Sequence, residues 1–280
     1  MEYLLVKGNM KTKDIVLLLD NLDLIKKAKE VGVTTFLFPV KDYTVGFLNT
    51  YQIAEIKEES FILINRNLTN SDIDSLKDML SNLPSNIKGV VFEDLGLINI
   101  LKDTNLIKIY NAKHLNCSTN SVLAMLKYVD SVILSTDLTE EEINNILNNT
   151  NKRCSVYAFG LNQIMYSRRT LISNYAKEYD LKEERSIEVL ENVSNQLFKV
   201  VENEYGTVFY PKKYYDATRL FKNNNVLYYF INLSYLDEDI CINIINNNFN
   251  LDNIQIETSS YNLDSETYYK LPPKEGDKNV

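Results

Sequence analysis

The sequence predicts a single (β/α)8 TIM-barrel-like domain, an α/β fold in which eight parallel strands alternate with helices. Three observations indicate this class: eight short apolar segments, helix-like stretches between them, and hydrophobicity that runs almost without interruption through each segment. Strands covered on both faces are apolar throughout, whereas a half-exposed strand alternates between polar and apolar residues. Eight such strands alternating with helices in one chain are typical of a closed barrel.

The predicted strands are rich in β-branched and aromatic residues. They are Val16–Asp20, Thr35–Pro39, Phe61–Asn65, Gly89–Glu93, Ile107–Asn111, Ser131–Ser135, Ser155–Phe159 and Val226–Asn232. The first seven follow one another closely, but a long stretch separates the seventh from the eighth. Long insertions at the carboxyl end of a barrel strand are often covers of an active site or surfaces for a partner.

Helix signals lie between the strands. The predicted helices include Leu22–Glu30, Asp72–Leu80 and Glu140–Leu147. Asn21 is a candidate cap for the first of them, which Gly32 would end. Thr139 and Glu142 form the capping-box pattern at the head of the last.

The insertion, about residues 161–215, is helical and carries a β-hairpin between strands seven and eight. We predict a polar helix at Glu183–Asn195 and a hairpin of Leu197–Glu202 and Gly206–Tyr210. Residues 1–240 are assigned to the barrel domain and residues 241–280 to a partly flexible C-terminal extension. Its last residues, KLPPKEGDKNV, are expected to fray.

Composition narrows the class of protein. The 280 residues are 45% hydrophobic and 24% charged, as in soluble globular proteins, and no apolar run is long enough to cross a membrane. The start of the chain does not resemble a secretion signal, so a cytoplasmic location is expected. The net charge of −8 disfavours general nucleic-acid binding, although a local basic patch could still contact RNA.

Cysteine and histidine are scarce. Cys117, Cys154 and Cys241 are isolated, a pattern that fits buried thiols better than disulfides or a metal site made by this chain alone. With His114 as the one histidine, a Ser–His or Cys–His catalytic pair would have to use it. We predict no metal and no cofactor.

Polar residues follow the predicted strands, where a barrel has its mouth. They are Asp20, Lys41, Asn65, Arg66, Glu93, Asp94, Asn111, His114, Asn116, Ser135, Asp137 and Gly160, and the insertion adds Tyr166, Ser167, Arg168 and Arg169. Carboxylates, amides and guanidinium groups together suit a small polar or anionic ligand.

The ligand-binding candidates are Asn116, Tyr166, Arg168 and Arg169. Adjacent arginines in a helix point about 100° apart, so one of the pair would face the mouth and bind a carboxylate or phosphate. In the alternative interpretation, both arginines pair with surface acids, and Asn116 only holds loop geometry or caps a helix.

The catalytic candidates are Glu93, His114 and Ser167. Glu93 could act as a general base or orient a ligand amine, or it could be satisfied by a neighbouring strand. His114 could shuttle protons or simply bond a backbone carbonyl. Ser167 lacks an evident base unless the fold brings His114 to it.

Several motifs, in this order and spacing, resemble the peptidase U32 family, the collagenase-like peptidases of unassigned catalytic type. They are FILINRNLTNSDID, GVVFEDLGLINIL, VILSTDLTEEEI, YAFGLNQIMYSRRTLISNY and VVENEYGTVFYPKKY, which together cover about Phe61 to Tyr214. The resemblance implies a barrel fold and peptidase activity.

The resemblance also draws attention to missing cysteines. Relatives that hydroxylate RNA bases or a quinone precursor hold an iron–sulfur cluster through four cysteines, the first in a pattern like Tyr-Ser-Gly-Arg-Cys. Here Thr170 stands about where that cysteine would be, and Glu178–Gln196 contains no cysteine. A cluster needs thiolate ligands, so the cluster and its chemistry are not carried over to this chain.

The sequence therefore predicts a U32-like barrel that binds a small anionic or peptidic ligand without an iron–sulfur cluster. One alternative is a noncatalytic subunit, in a hetero-oligomer with a cluster-bearing relative, whose insertion is the interface. Another is a tRNA or rRNA hydroxylation factor in which the arginine pair and Lys177, Lys212 and Lys213 contact phosphate.

Overall fold

The computed structural model describes residues 12–111, 113–193 and 195–265. The strands in this part of the chain are β1 (Ile15–Leu18), β2 (Thr35–Pro39), β3 (Ser60–Ile64), β4 (Ile87–Phe92), β5 (Ile107–Asn111), β6 (Ser131–Ile133), β7 (Cys154–Gly160), β8 (Met165–Ser167), β9 (Ser186–Glu191), β10 (Gln196–Asn203), β11 (Gly206–Pro211), β12 (Tyr214–Asp216), β13 (Val226–Asn232) and β14 (Thr258–Ser259).

Strands β1 to β7 and β13 form a closed parallel barrel. Each of β1 to β6 pairs with the next strand in the chain, and β13 pairs with both β1 and β7. The two closing registers align Ile15 with Tyr229 and Val226 with Cys154. The predicted (β/α)8 fold is confirmed, and all eight predicted strands overlap barrel strands.

Helices follow most of the barrel strands. They are α1 (Ile25–Glu30), α2 (Asn70–Ser81), α3 (Leu97–Leu101), α4 (Thr119–Met125), α5 (Glu140–Asn148), α6 (Leu171–Glu178) and α7 (Glu238–Asn246). Between β2 and β3 the described chain forms only a short 3-10 turn, at Ile53–Glu55. The predicted capping box is present, because the Thr139 amide donates to the Glu142 carboxylate (2.9 Å) and the Glu142 amide donates to the Thr139 hydroxyl (3.2 Å).

The barrel strands bury both of their faces. Alternate residues of β1 show this: Ile15 and Leu17 pack in the layer beneath the helices, whereas Val16 and Leu18 pack inside the barrel. Side chains of successive strand residues point to opposite faces, so a strand buried on both sides needs apolar residues at every position. This requirement explains why the eight strands could be recognised from hydrophobicity.

The insertion forms a separate antiparallel sheet with the order β8-β11-β10-β9. The predicted hairpin is confirmed, since β10 and β11 pair from Phe198–Pro211 to the turn at Asn203–Gly206. The predicted helix at Glu183–Asn195 is wrong: Ser186–Glu191 is strand β9, paired along β10. Half-buried Ile187 and Val189 alternate there with exposed Glu188 and Leu190, which is a strand period, and the insertion's helix is α6 instead.

The segment after β13 returns to the barrel. Helix α7 spans the boundary predicted between residues 240 and 241, and β14 pairs with β12, which itself pairs with the end of β7. The tail KLPPKEGDKNV lies outside the described residues. Within the described residues, no helix is both long and apolar enough to cross a bilayer.

Candidate functional site

A cavity lies at the carboxyl ends of the barrel strands. Its volume is about 750 Å³, including the open space at its mouth. Apolar side chains from inside the barrel form the floor, among them Leu18, Leu37, Leu63, Val91, Ile133 and Phe230. Polar side chains that follow the strands form the upper wall, among them Asn65, Glu93, Asn111, Lys113, Asn162 and Asn232. An apolar floor below a few polar groups is the usual composition of a small-molecule site.

A carboxylate and an ammonium group meet in this wall. Lys113 Nζ lies 3.0 Å from Glu93 Oε1, and Asn111 Nδ2 donates to the same oxygen at 3.1 Å. The side chains of Glu93 and Lys113 are 17% and 27% exposed. Burial raises the pKa of the Glu93 carboxyl, and the positive charge of Lys113 opposes that rise. The wall therefore presents both signs of charge in a poorly solvated place.

Two buried phenols complete the wall. The Tyr157 hydroxyl donates to the Leu161 carbonyl (2.9 Å), and the Tyr210 hydroxyl donates to the Gly46 carbonyl (2.8 Å). Burial raises the pKa of both tyrosines well above the ordinary value, so both remain protonated at neutral pH. Tyr210 comes from β11, so the insertion contributes directly to the barrel mouth.

A loop of residues 41–50, here called the roof loop, lies over the cavity and places Phe47 in its wall. Asn65 holds the loop from below, accepting from the Val45 amide (2.9 Å) and donating to the Val45 carbonyl (3.2 Å). Tyr210 and Tyr235 both donate to the Gly46 carbonyl, at 2.8 and 2.5 Å. The roof loop is thus fixed by the barrel, by the insertion and by the connection after β13.

The structure brings three of the predicted mouth residues, Asn65, Glu93 and Asn111, into the cavity wall. Other predicted residues are engaged elsewhere. Asp20 accepts from the Tyr235 amide (2.8 Å), and Arg66 lies 2.5 Å from Asp72 and stacks over the Tyr205 ring. The predicted list omitted Lys113, Tyr157 and Tyr210, among others.

The predicted ligand-binding residues lie outside the cavity lining. Tyr166 donates to the Tyr205 carbonyl (3.1 Å), and Ser167 accepts from the Arg169 amide (3.1 Å). Arg168 and Arg169 are exposed in a bend between β8 and α6, so the assumption that they lie in a helix is wrong. Neither forms an ion pair with Glu178 or Glu183 within the described part of the chain. Their roles in binding stay predictions.

Helix α6 begins where it does because of a buried carboxylate, Glu202, which the sequence placed only at the end of a predicted hairpin strand. Glu202 is 4% exposed and accepts from the amides of Ile172 (2.7 Å) and Ser173 (3.0 Å). It also accepts from the hydroxyls of Ser173 and Thr207, at 2.5 and 2.7 Å. Burial alone would raise the pKa of Glu202, but these hydrogen bonds outweigh it and lower that pKa.

His114 has a partner that sequence reasoning did not connect to it. Its Nδ1 lies 2.5 Å from Asp137 Oδ2, and both side chains are about half exposed. Asn116 nearby has a left-handed backbone (φ 58°), and its buried Nδ2 has no partner among the described residues. The first of the three catalytic candidates, Glu93, lies in the cavity wall, and His114 directly follows Lys113, another residue of that wall.

The cysteines do not fit an iron–sulfur cluster. The chain has three, in three different places: Cys117 before α4, Cys154 at the amino end of β7 and Cys241 in α7. Cys154 and Cys241 are buried as predicted, but the prediction is wrong for Cys117, which is exposed on the connection before α4. No group of three or more metal-ligating side chains occurs in the described residues. Thr170 only precedes α6. A cluster of the four-thiolate kind has no ligand set here.

Comparison with known protein families finds a match for one region of the chain. Residues 49–186 match the model of peptidase family U32. This region of the chain belongs to peptidase family U32. The U32 region contains Glu93, Asn111, Lys113 and the His114–Asp137 pair, whereas Tyr210 lies beyond it. The last motif of the predicted resemblance, VVENEYGTVFYPKKY, also lies outside the matched residues.

Solved structures give more distant likenesses. The U32 peptidase Mk0906 is 13% identical with a TM-score of 0.48, over 78% of this chain and 91% of that chain. The C-terminal domain of a putative chitinase from Desulfitobacterium hafniense DCB-2 is 10% identical with a TM-score of 0.41, over 85% and 99%. The spore cortex-lytic enzyme SleL of Bacillus megaterium QM B1551 is 12% identical with a TM-score of 0.39, over 84% and 73%. No curated protein matches the chain in sequence.

Proposed function

We propose that this U32 barrel is a cytoplasmic protein that binds a small peptidic ligand in its mouth cavity and hydrolyses it without an iron–sulfur cluster. The observation that carries the proposal is the Glu93–Lys113 pair above the apolar barrel floor. A short peptide has an ammonium group, a carboxylate and often an apolar side chain. Glu93 can pair with the ammonium group, Lys113 can pair with the carboxylate, and the apolar floor can contact the side chain.

The hydrogen bonds of Glu93 leave room for such a ligand. Both Lys113 and Asn111 contact Oε1, and within the described residues Oε2 has no hydrogen-bond partner. A ligand ammonium can therefore bind Oε2 without displacing either neighbour. Lys113 also donates to Gln163 Oε1 at 3.5 Å, which leaves one of the three N–H bonds of its ammonium group for a ligand carboxylate. Charge-assisted hydrogen bonds in a poorly solvated wall are stronger than those at an open surface.

Calorimetric titration with the dipeptide Ala-Leu, alongside other unmodified dipeptides, tests this proposal. The unaltered protein should bind at least one of them, and Glu93→Gln should weaken that binding about tenfold, as loss of one charged hydrogen bond predicts. Glu188→Gln, which removes an exposed carboxylate from β9, should leave affinity unchanged. Absence of binding, or equal binding by Glu93→Gln, would contradict the proposal.

A further inference from the structure

The His114–Asp137 pair lies at the rim of the mouth cavity. His114 is on the connection after β5 and Asp137 on the connection after β6, and these two strands are neighbours in the barrel. The residues just before them in the chain, Lys113 and Thr136, both line the cavity. The pair therefore borders the proposed ligand site.

The geometry of the pair leaves one imidazole nitrogen available. Because a carboxylate only accepts hydrogen bonds, Nδ1–H is the donor to Asp137 Oδ2. In the neutral imidazole Nε2 then carries the lone pair, and within the described residues Nε2 has no partner. Asp137 is itself oriented, since its amide donates to the Ser135 hydroxyl at 3.1 Å. An imidazole whose Nδ1 is held by a carboxylate is the arrangement used for general-base catalysis.

The other groups near the pair do not compete for this role. Cys117 donates its thiol to the His114 carbonyl at 3.6 Å, and burial together with the negative charges of Asp137 and Glu142 raises the pKa of that thiol. It is therefore held protonated and is a poor nucleophile. Glu93 and Lys113 are already paired with each other in the wall.

We propose that His114 is the general base that activates water for hydrolysis of a peptide ligand in the cavity, and that Asp137 positions it. Nε2 takes a proton from water while the water oxygen bonds to the carbonyl carbon of the scissile peptide. The C–N bond then breaks, and the proton passes from Nε2 to the departing nitrogen. The products are one carboxylate and one amine, so no oxidant or metal is consumed. This inference rests on the proposed ligand binding.

Release of free amine from a bound dipeptide tests the proposal, measured beside affinity for the same dipeptide. His114→Ala should bind it within about twofold of the unaltered protein but lose at least a hundredfold in hydrolysis rate. Added imidazole should restore part of that rate, which a structural role for His114 would not allow. Asp137→Asn should lower the rate about tenfold or more, and Asp137→Glu should recover part of it.

Asp103→Asn is the matched control, because it removes an exposed carboxylate from the opposite end of the barrel. It should change neither the affinity for the dipeptide nor the rate of its hydrolysis. Binding without hydrolysis, or an undiminished rate in His114→Ala, would overturn the role of His114 and leave the binding site in place. Failure of the unaltered protein to bind would overturn both proposals.

Discussion

At the scale of single residues, the pKa values of two carboxyl groups, Glu93 at the barrel mouth and Glu202 in the insertion sheet, are shifted in opposite directions. Glu93 has one ammonium and one amide as neighbours in a dry wall, and burial dominates its pKa, which is raised. Glu202 accepts four hydrogen bonds, and together they lower its pKa despite burial. A raised pKa is common where a carboxyl takes part in binding or catalysis, whereas a saturated carboxylate is typical of a structural cap.

The raised pKa of Glu93 predicts a pH-dependent cost to folding. Above its ordinary value of 4.5 the unfolded chain ionises this carboxyl freely, whereas the folded chain resists ionisation. That cost is absent at lower pH and grows as pH rises toward the folded pKa. The unfolding free energy of Glu93→Gln relative to the unaltered protein should therefore increase from pH 4 to pH 7, as measured by urea denaturation.

The control for this measurement is Glu188→Gln, which shows how much of the slope comes from removing any one negative charge. A relative stability of Glu93→Gln that falls with rising pH would contradict the account of Glu93. Such a result would mean that pairing with Lys113 outweighs burial.

Glu202 predicts the opposite dependence. Its lowered pKa means that the carboxylate stabilises the fold above its ordinary value of 4.5, and that this stability is lost as pH falls through the folded pKa. Glu202→Gln should cost roughly 2–3 kcal/mol at pH 7, because it weakens several buried charge-assisted hydrogen bonds at once. The loss should shrink at acid pH. Glu204→Gln, an exposed neighbour, should cost almost nothing, and an equal loss in both variants would rule out the capping role.

At the scale of elements, the roof loop and the insertion sheet act together on the mouth. Gly46 has a left-handed backbone (φ 79°), and a Cβ there would lie 2.3 Å from the Tyr210 hydroxyl. The glycine allows the loop to approach β11 closely enough for that hydrogen bond. Asn203 Nδ2 adds a second contact from the hairpin, donating to the Thr44 carbonyl at 2.8 Å.

We expect Tyr210→Phe to loosen the roof loop. It removes one of the two hydroxyls that donate to the Gly46 carbonyl, and one hydrogen bond contributes about 1 kcal/mol. Amide hydrogen exchange should therefore become faster in the roof loop while the barrel strands keep their protection. Tyr228→Phe is the control, because no described hydrogen bond involves that hydroxyl. Unchanged exchange in the roof loop of Tyr210→Phe would show that the loop is held by other contacts.

The sequence was informative about elements to different degrees. Barrel strands were predictable because burial on both faces requires continuous apolar residues, as in Phe61–Asn65. Strand β9 was not, because SIEVLE mixes acidic and apolar residues and becomes a strand only beside β10. Contacts such as that of Tyr210 with Gly46 join residues 164 positions apart, and no local pattern records them.

At the scale of the whole molecule, the barrel strands form the apolar floor of the cavity, and the strand ends and the connections after them provide its polar groups. Strand ends bring Glu93 and Asn111 together as expected, because neighbouring parallel strands end at the same edge. Lys113 lies two residues beyond β5 with a left-handed backbone (φ 51°), so its direction depended on the loop and not on the strand period. The arginine pair was the most conspicuous signal in the sequence, yet it lies outside the cavity.

The central claim is that Glu93 in the mouth cavity binds the ammonium of a peptidic ligand, and a calorimetric cycle tests it most directly. The four titrations combine the unaltered protein and Glu93→Gln with a bound dipeptide and its N-acetylated form. Acetylation removes the ammonium charge, so we expect both single changes to weaken binding about tenfold and the second change to add little after the first. Additive losses, or equal binding in all four titrations, would contradict the claim.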